Sequence, residues 1–426
     1  MEAILLAAGK GTRMRSEQVK VLHPALGFPV LGHVLETLAR LGVKAPRVVV
    51  GTQAAEVRSF LKQADRLLKL KSQAVLQKEQ KGTGHAVQIA ARTLRKARGE
   101  VLVWPGDMPL VRAETLAAFI REHRLSDAKV SVLSCVMAQP EGYGRVLRAG
   151  GNFIGIREEL DASESEKRIQ EVNTGIYLFE ATALFEALGK IKPNNQKGEY
   201  YLTDTIEILS VAGAAVAAFP LARESEGLGI NSRTDLAEVV RVMKDREIRK
   251  HMENGVTFES PEQTFVAPDV KIGGDTVIYP WSYIERGVRI GRHCQIGPFA
   301  KIRAGSVIED GAVVGSFVEI NRSHLGRGVL AKHLAYLGDA VVGAGTNIGA
   351  GTVTANYDGK NKHRTQIGPK SFIGSNTVLI APVTLGQGAK TGAGSVVTAG
   401  TKVPSGQVVV GVPARPLKKV SERKRK

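Results

Sequence analysis

Cysteine and aromatic residues are scarce in this chain of 426 residues. Its two cysteines, Cys135 and Cys294, lie far apart with no partner motif. That argues against a disulfide framework and a cysteine-type metal site, and it fits a reducing, cytoplasmic setting. Aromatics make up 5% of the residues, too few for a base-stacking platform, which argues against a nucleic-acid role. No run of about 18 apolar residues occurs, so no membrane span is expected. Met1 leads into a short apolar run that Gly9 soon interrupts, which does not read as a signal peptide. Acidic residues are outnumbered, 41 against 59 Lys and Arg, for a net charge of +18. A surplus of that sign suits phosphate-bearing substrates, an anionic membrane or nucleic acid, and composition does not choose among them.

What is present is a globular composition, 43% hydrophobic and 23% charged, long enough for two or three domains. The first half alternates short apolar runs (Ile4-Leu5-Leu6, Arg47 to Val50, Val101 to Trp104) with helix-like segments near 30–41, 55–69, 84–97 and 113–124. Such alternation predicts a mostly parallel sheet with helices on both faces, its ligand outside the carboxyl ends of the strands. Arg233 to Met252 lacks Gly and Pro and spaces Leu236, Val239, Val240, Met243 and Ile248 as one helical stripe. From Val266 a period of six takes over: Ile272, Ile278, Ile284, Ile290, Ile296, Ile302, Ile308, Val314 and Ile320 follow in phase. After a slip the period resumes at Leu325, Ala331 and Leu337, then at Val342 and Ile348, and runs again from Ile367 to Val403. Neither a helix nor an isolated strand has that period, whereas the coils of a parallel β-helix do. Ala355 to Gln366 breaks the period and reads as a loop leaving one face. Lys418 to Lys426 holds six basic residues and reads as a solvated tail.

Leu6-Ala7-Ala8-Gly9-Lys10-Gly11-Thr12-Arg13 follows the first strand. Small residues there let backbone N–H groups approach phosphates, and Lys10 and Arg13 add charge. The spacing is neither a Walker A motif nor GxGxxG. Lys20 lies among apolar residues, where lysine commonly snorkels, and it is also placed to reach back to the phosphates.

With Lys20-Val21-Leu22, Gln77, Gly82-Thr83-Gly84-His85-Ala86 and Gly106-Asp107-Met108-Pro109-Leu110, this segment resembles the sugar nucleotidyltransferase family. Gly142-Tyr143-Gly144-Arg145, Glu171 to Gly175, Gly198 to Asp204 and Gly229-Ile230-Asn231, joined to the hexapeptide half, narrow the likeness to the bacterial bifunctional GlmU family. The fold so implied is a Rossmann-like α/β nucleotidyltransferase domain (1–230), a linker helix (231–255), a left-handed parallel β-helix (256–411) and a basic tail (412–426). Members acetylate glucosamine-1-phosphate from acetyl-CoA and then transfer uridylyl from UTP to the product, releasing pyrophosphate. The resemblance implies Mg²⁺ on Asp107 and Asn231, a donor pair suited to that hard ion, and phosphate stabilisation by Arg13 and Lys20. It puts UTP contacts on Leu6, Ala7, Ala8, Gly9 and Thr83, the uracil on Gln77 and Gly82, and the sugar on Gly144, Glu158 and Asn173. Asp107 also suits a turn cap, and Asn173 and Asn231 also suit turns.

For the rear half the resemblance implies a homotrimer with acetyl-CoA between neighbouring prisms. An amine attacking a thioester needs a base titrating near neutrality, and His333 in Lys332 to Asp339 supplies the candidate. Arg303, Tyr336, Asn347, Asn356, Tyr357 and Lys362 match acceptor positions, and Ser375 and Ala393 match positions meeting acetyl-CoA. Gly411 to Pro416 resembles the end of other hexapeptide acyltransferases, where it lines the pantetheine arm.

The chain departs from that pattern in several places. Pro105 offers no hydroxyl or N–H before Gly106-Asp107, and Leu160 stands where a lysine is expected after the sugar-binding Glu158. Asn321-Arg322 replaces a Lys-Lys pair, which predicts weak use of glucosamine-1-phosphate or a different amino-sugar acceptor, because charge-assisted bonds are about twice as strong as neutral ones. The β-helix also reads about two coils shorter than in long relatives. One alternative keeps only the uridylyltransferase, with the β-helix as a trimerisation scaffold. Another is the non-enzymatic plan of translation-initiation exchange-factor subunits, against which the set Arg13, Lys20, Asp107 and Asn231 argues.

Overall fold

The computed structural model describes residues 1–9, 11–51, 53–94 and 98–417. It divides into two compact units, Met1–Val242 and Met243–Lys426.

The first unit is built on a nine-stranded sheet. Its strands are Glu2–Ala7 (β1), Arg47–Val50 (β2), Gln73–Leu76 (β3), Glu100–Pro105 (β4), Val130–Val136 (β5), Arg145–Ala149 (β6), Asn152–Arg157 (β7), Glu171–Glu180 (β8) and Val216–Pro220 (β9). The order is β9-β5-β8-β4-β1-β2-β3, with the β6–β7 hairpin attached to β8. β1 is central and parallel to β2 and β4, Leu6 lying opposite Val49 on one side and Pro105 on the other. β8 runs antiparallel to β4 and β5. The helices are Val30–Arg40 (α1), Ala54–Leu68 (α2), Thr83–Ala91 (α3), Ala113–Leu125 (α4), Ala181–Leu188 (α5) and Asp204–Val211 (α6).

Period two along the strands divides the core. Ala3, Leu5 and Ala7 of β1 join a cluster with Leu31, Leu35 and Leu38 of α1, Val57 of α2 and Leu116 of α4. Ile4 and Ala8 join the opposite cluster with Val87 of α3, Leu184 of α5 and Ile206 of α6. Strands buried on both faces therefore carry continuous apolar runs. The helix expected over 84–97 ends at Ala91 and tightens into a 3-10 turn, Arg92–Leu94. There the Thr93 hydroxyl donates to the Ala90 carbonyl at 2.7 Å, a local bond that competes with helix continuation. The antiparallel hairpin was missing from the sequence reading, although Gly150-Gly151, both at positive φ, is a hairpin-turn signal.

A helix, Arg233–Glu253 (α7), follows where the Gly- and Pro-free run lies, and the division between units falls inside it.

The second unit is a three-sided β-helix whose sheets have ten, eight and eight strands, parallel except at the last strand. In the first coils each strand pairs with the strand 18 residues on: Ile278 with Ile296, Ile284 with Ile302, Ile290 with Ile308. Where the sequence slips by one residue the coil shortens, so Ile308 pairs with Leu325 and Ile320 with Leu337. The loop after Val353–Ala355 lengthens the next step, pairing Ile348 with Ile373. Ile278, Ile296, Ile302, Val314, Ile320, Leu325 and Ile373 are fully buried, each aliphatic side chain contributing roughly 2 kcal/mol on leaving water. Ile272 is the exception in the series, only partly buried in the first coils. Glycine after the aliphatic residue has a steric cause. At Gly349 a Cβ would stand 2.5 Å from the Ser375 amide nitrogen of the next coil. The last strand, Arg415–Pro416, turns back antiparallel on Val408–Val410.

Candidate active sites

In the first unit a cavity of about 570 Å³ opens at the carboxyl ends of β1 and β4. Leu6, Ala7, Ala8 and Gly9 form its floor. Gly11, at φ +60, keeps the loop close to the next segment, since a Cβ there would lie 2.8 Å from the Lys20 Cβ. Arg13 stands in the 3-10 turn Thr12–Met14, also on the cavity wall, with no ion-pair partner among the described residues. Lys10 lies outside the described residues, as does the tail from Lys418.

Lys20, Asp107 and Asn231 meet at one point. The Lys20 ammonium pairs with the Asp107 carboxylate and lies 3.3 Å from Asn231 Oδ1. Asn231 is brought there by two local devices. The Ile230 N–H donates to the Asp107 carbonyl at 3.0 Å, and the backbone N–H groups of Asn231 and Ser232 donate to Asp235 Oδ2 at 2.8 and 2.9 Å. A carboxylate and an amide oxygen thus converge on a position already taken by a cation. That donor set fits a hard divalent ion completed by water and phosphate oxygens. No cluster of three His, Cys, Asp or Glu suited to a metal occurs among the described residues.

Opposite the loop, Gln77, Gly82 and Thr83 line the cavity at the N-terminus of α3. Gln77 is buried, and its amide donates to the Gly82 carbonyl at 3.2 Å and lies 3.2 Å from His85 Nδ1. Gly82 adopts φ +101, and a Cβ would press on the Tyr200 carbonyl at 2.5 Å. Gln80, Lys197 and Glu199 also line the cavity. The sequence reading missed all three as site residues. Only Glu199 carried a signal, since it stands in the quoted Gly198 to Asp204 motif.

Gly144, Glu158 and Asn173 do not line this cavity but form a neighbouring group. The Asn173 N–H donates to the Gly144 carbonyl at 2.8 Å, and the Asn173 amide donates to the Tyr177 hydroxyl at 2.7 Å. Asn173 Oδ1 also holds the Gly175 N–H, and a Cβ on Gly175 would lie 2.9 Å from the ring of cavity-lining Pro105. Burial raises the Glu158 carboxyl above its usual range, while the Thr203 hydroxyl (donating at 3.1 Å) and Lys197 act the other way. Burial and the charges of Glu207, Glu158 and Asp161 push Asp204 up to about 6. Leu160 is exposed.

In the second unit the expected residues fall on two edges of the prism, except for Asn347 on a flat face. One edge carries a connected polar set. Arg303 pairs with Glu319 at 3.1 Å. Asn321 is buried, its amide 3.4 Å from the Tyr336 hydroxyl and its Oδ1 accepting from Arg322 at 3.0 Å. Arg322 grips both oxygens of Asp339 at 2.7 Å, and Asn356 donates to the same carboxylate. Arg322, then Asn356, hold the Asp339 carboxyl below its usual range, with a further contribution from exposed Lys362 in the loop. Tyr357 stands 59% exposed at the loop base, bridged to Lys362.

The other edge carries His333, Ser375 and Ala393. His333 ends the strand Leu330–His333, opposite Ser316, exposed and with no side-chain hydrogen bond among the described residues. The corner after it continues upward through backbone bonds, Gly351 to Leu334, Asn376 to Ala350, and Gly394 to Ser375. Asn347 lies on the flat face between Leu330 and Phe372. Below His333 the same edge exposes Trp281, Phe299, Phe317 and Leu334 at 53, 46, 59 and 61%. The three aromatic rings stack nearly parallel at 6.2 and 5.0 Å.

Comparison with known proteins covers both units. The family model of the MobA-like NTP transferase domain matches residues 3–176. That of the bacterial transferase hexapeptide matches 269–304, 287–322 and 364–399, so the three-sided coil is consistent with a left-handed β-helix. Among relatives named "Bifunctional protein GlmU", that of Geobacillus sp. (strain WCH70) is 44% identical over 93% of this chain and 92% of its own. That of Heliobacterium modesticaldum is 44% identical over 96% and 94%, and that of Pelotomaculum thermopropionicum 45% over 90% of both. The likeness covers nine tenths or more of this chain and of each relative, and the chain belongs to the bifunctional GlmU family.

Proposed function

We propose that this chain makes UDP-N-acetylglucosamine by acetylating glucosamine-1-phosphate and then uridylylating the product from UTP. The observation that carries the second step is the meeting of Lys20, Asp107 and Asn231 in a cavity floored by a glycine-rich turn. The triphosphate lies along Leu6 to Arg13, where backbone N–H groups and the Arg13 guanidinium face its oxygens. Asp107 and Asn231 would hold Mg²⁺, which would neutralise phosphate charge there. Lys20 serves the α-phosphate, and the sugar phosphate oxygen attacks in line as pyrophosphate leaves. Such transfer needs positioning and charge more than covalent help. Gly144, Glu158 and Asn173 hold the sugar, and the uracil lies against Gln77, Gly82 and Thr83.

The first step uses the prism as a trimer. An exposed aromatic column beside His333 is a surface that a second copy covers. The acceptor set around Asp339 and the edge bearing Ser375 and Ala393 are separate within one chain, so a neighbouring copy is needed to bring amine and thioester together. His333 accepts the amine proton as nitrogen attacks the thioester carbonyl, and the coenzyme A thiolate departs.

Asn321 favours a second reading of this half. It is buried and bonded to its neighbours, and Arg322, the remaining cation of that pair, is committed to Asp339. Weak acetylation, or a different amino-sugar acceptor, follows if no other cation meets the sugar phosphate. Mass spectrometry of glucosamine-1-phosphate, acetyl-CoA, UTP and Mg²⁺ with the full chain decides. Both products are expected; no product from this mixture, with uridylylation of added N-acetylglucosamine-1-phosphate intact, supports the scaffold reading, and no product from either acceptor refutes the proposal.

A further inference from the structure

Lys197 is a cation with a built position and no assigned purpose. It lines the cavity from the loop before α6, and no ion pair engages its ammonium among the described residues. Asn195 holds the turn that presents it: Oδ1 accepts from the Lys197 and Glu199 N–H groups at 3.2 and 3.1 Å, and Nδ2 donates to the Glu199 carbonyl at 2.6 Å. The turn is docked on the sugar side, where the Gln196 N–H donates to Asp161 Oδ1 at 3.1 Å. Glu199 lines the wall beside it, and further acidic side chains lie behind that wall. The charges of Asp161 and Glu199 act on Glu158, those of Glu158 and Asp161 act on Asp204, and Lys197 is the cation that acts on Glu158. Arg157, the cation that acts on Asp204, lies 3.6 Å from Glu166.

A doubly charged sugar phosphate approaching that wall meets repulsion unless a cation offsets it. Arg13 and Lys20 line the same cavity from the segment that follows β1, beside the nucleotide loop. We infer that Lys197 determines acceptor specificity in the uridylyl transfer, its ammonium meeting the phosphate of the incoming sugar phosphate at the cavity wall. This rests on the uridylyltransferase reading above.

The test uses the full chain, UTP, Mg²⁺ and N-acetylglucosamine-1-phosphate, with acetyl transfer on the same preparation as a folding control. Lys197→Ala is expected to raise KM for the sugar phosphate about tenfold, leaving kcat and KM for UTP within about twofold. Lys197→Arg retains a near-normal KM, and Lys197→Glu raises it further, to about 30-fold. The gap between wild type and Lys197→Ala narrows at about 0.5 M salt, as screening demands. An unchanged sugar-phosphate KM in both the Ala and Glu variants overturns the inference, and so does an equal rise in KM for UTP. A wild-type chain that releases no pyrophosphate overturns the underlying reading, and the inference with it.

Discussion

The two units assemble polar groups in opposite ways. In the α/β unit Lys20, Asp107 and Asn231 are far apart in sequence and meet because β1 and β4 are neighbours whose carboxyl ends open into one cavity. In the prism, spatial neighbours are always one coil apart, as Asn321 is from Gly338 and Ser316 from His333. Stacking in one dimension makes columns along edges and leaves different edges separate. A sheet with crossovers makes a concave site within one chain, whereas a solenoid offers edges that a second molecule must complete.

The sharpest way to break this comparison is to disable one site and read both activities. Asp107→Ala removes a proposed metal ligand and strands the Lys20 ammonium. Pyrophosphate release should fall by about 10³-fold while acetyl transfer stays within about twofold. Near-normal release would remove Asp107 from the site. His333→Ala should do the reverse, lowering acetyl transfer by about 10²- to 10⁴-fold with uridylyl transfer intact. Loss of both activities would mean that the edge bearing His333 serves folding rather than proton transfer.

The cores invite a stability comparison. Ile296 is fully buried in the prism, and Ile296→Ala should cost about 2–4 kcal/mol in urea unfolding, destabilising the coils above and below with it. A cost under about 1 kcal/mol would show that stacked coils close over a cavity more readily than layered helices do. Asn321→Lys should lower KM for glucosamine-1-phosphate about fivefold if a cation is wanted there. An unchanged or higher KM would show that the bonds of Asn321 to Arg322 and Tyr336 matter more.

The smallest effect concerns pH. Asp204, about 6 in the folded chain against roughly 3.9 unfolded, binds its proton more tightly when folded. Its contribution to stability therefore declines as pH rises from about 4 to about 6. Asp204→Asn should raise the Tm by about 2–4 °C at pH 7.5 and by nothing near pH 3.5. An equal shift at both pH values would assign the gain to packing instead of charge.

Much of the architecture was legible in the residues. The period of six from Val266 to Ile320 is visible because one side of every short strand must be aliphatic to fill the prism, and even the shortened coils follow the slip at Leu325. The continuous apolar runs of β1, β2 and β4 gave the parallel centre of the sheet because those strands are covered on both faces. The polar loop residues Gln80 and Lys197 were not legible as site residues, since nothing in their local pattern says which wall a loop will face. Arg322 stands in place of the second lysine of the expected pair, but its partner Asp339 lies one coil away, so the bidentate pair appears only when the coils stack.

By itself, then, the sequence determined which segments become strands, helices and coils, because burial imposes a period that each residue obeys locally. Tertiary structure alone decided that Lys20 lies between Asp107 and Asn231, and that His333 and Asp339 occupy different edges. Those distances depend on strand order and coil stacking, which sum interactions between residues that no local pattern relates.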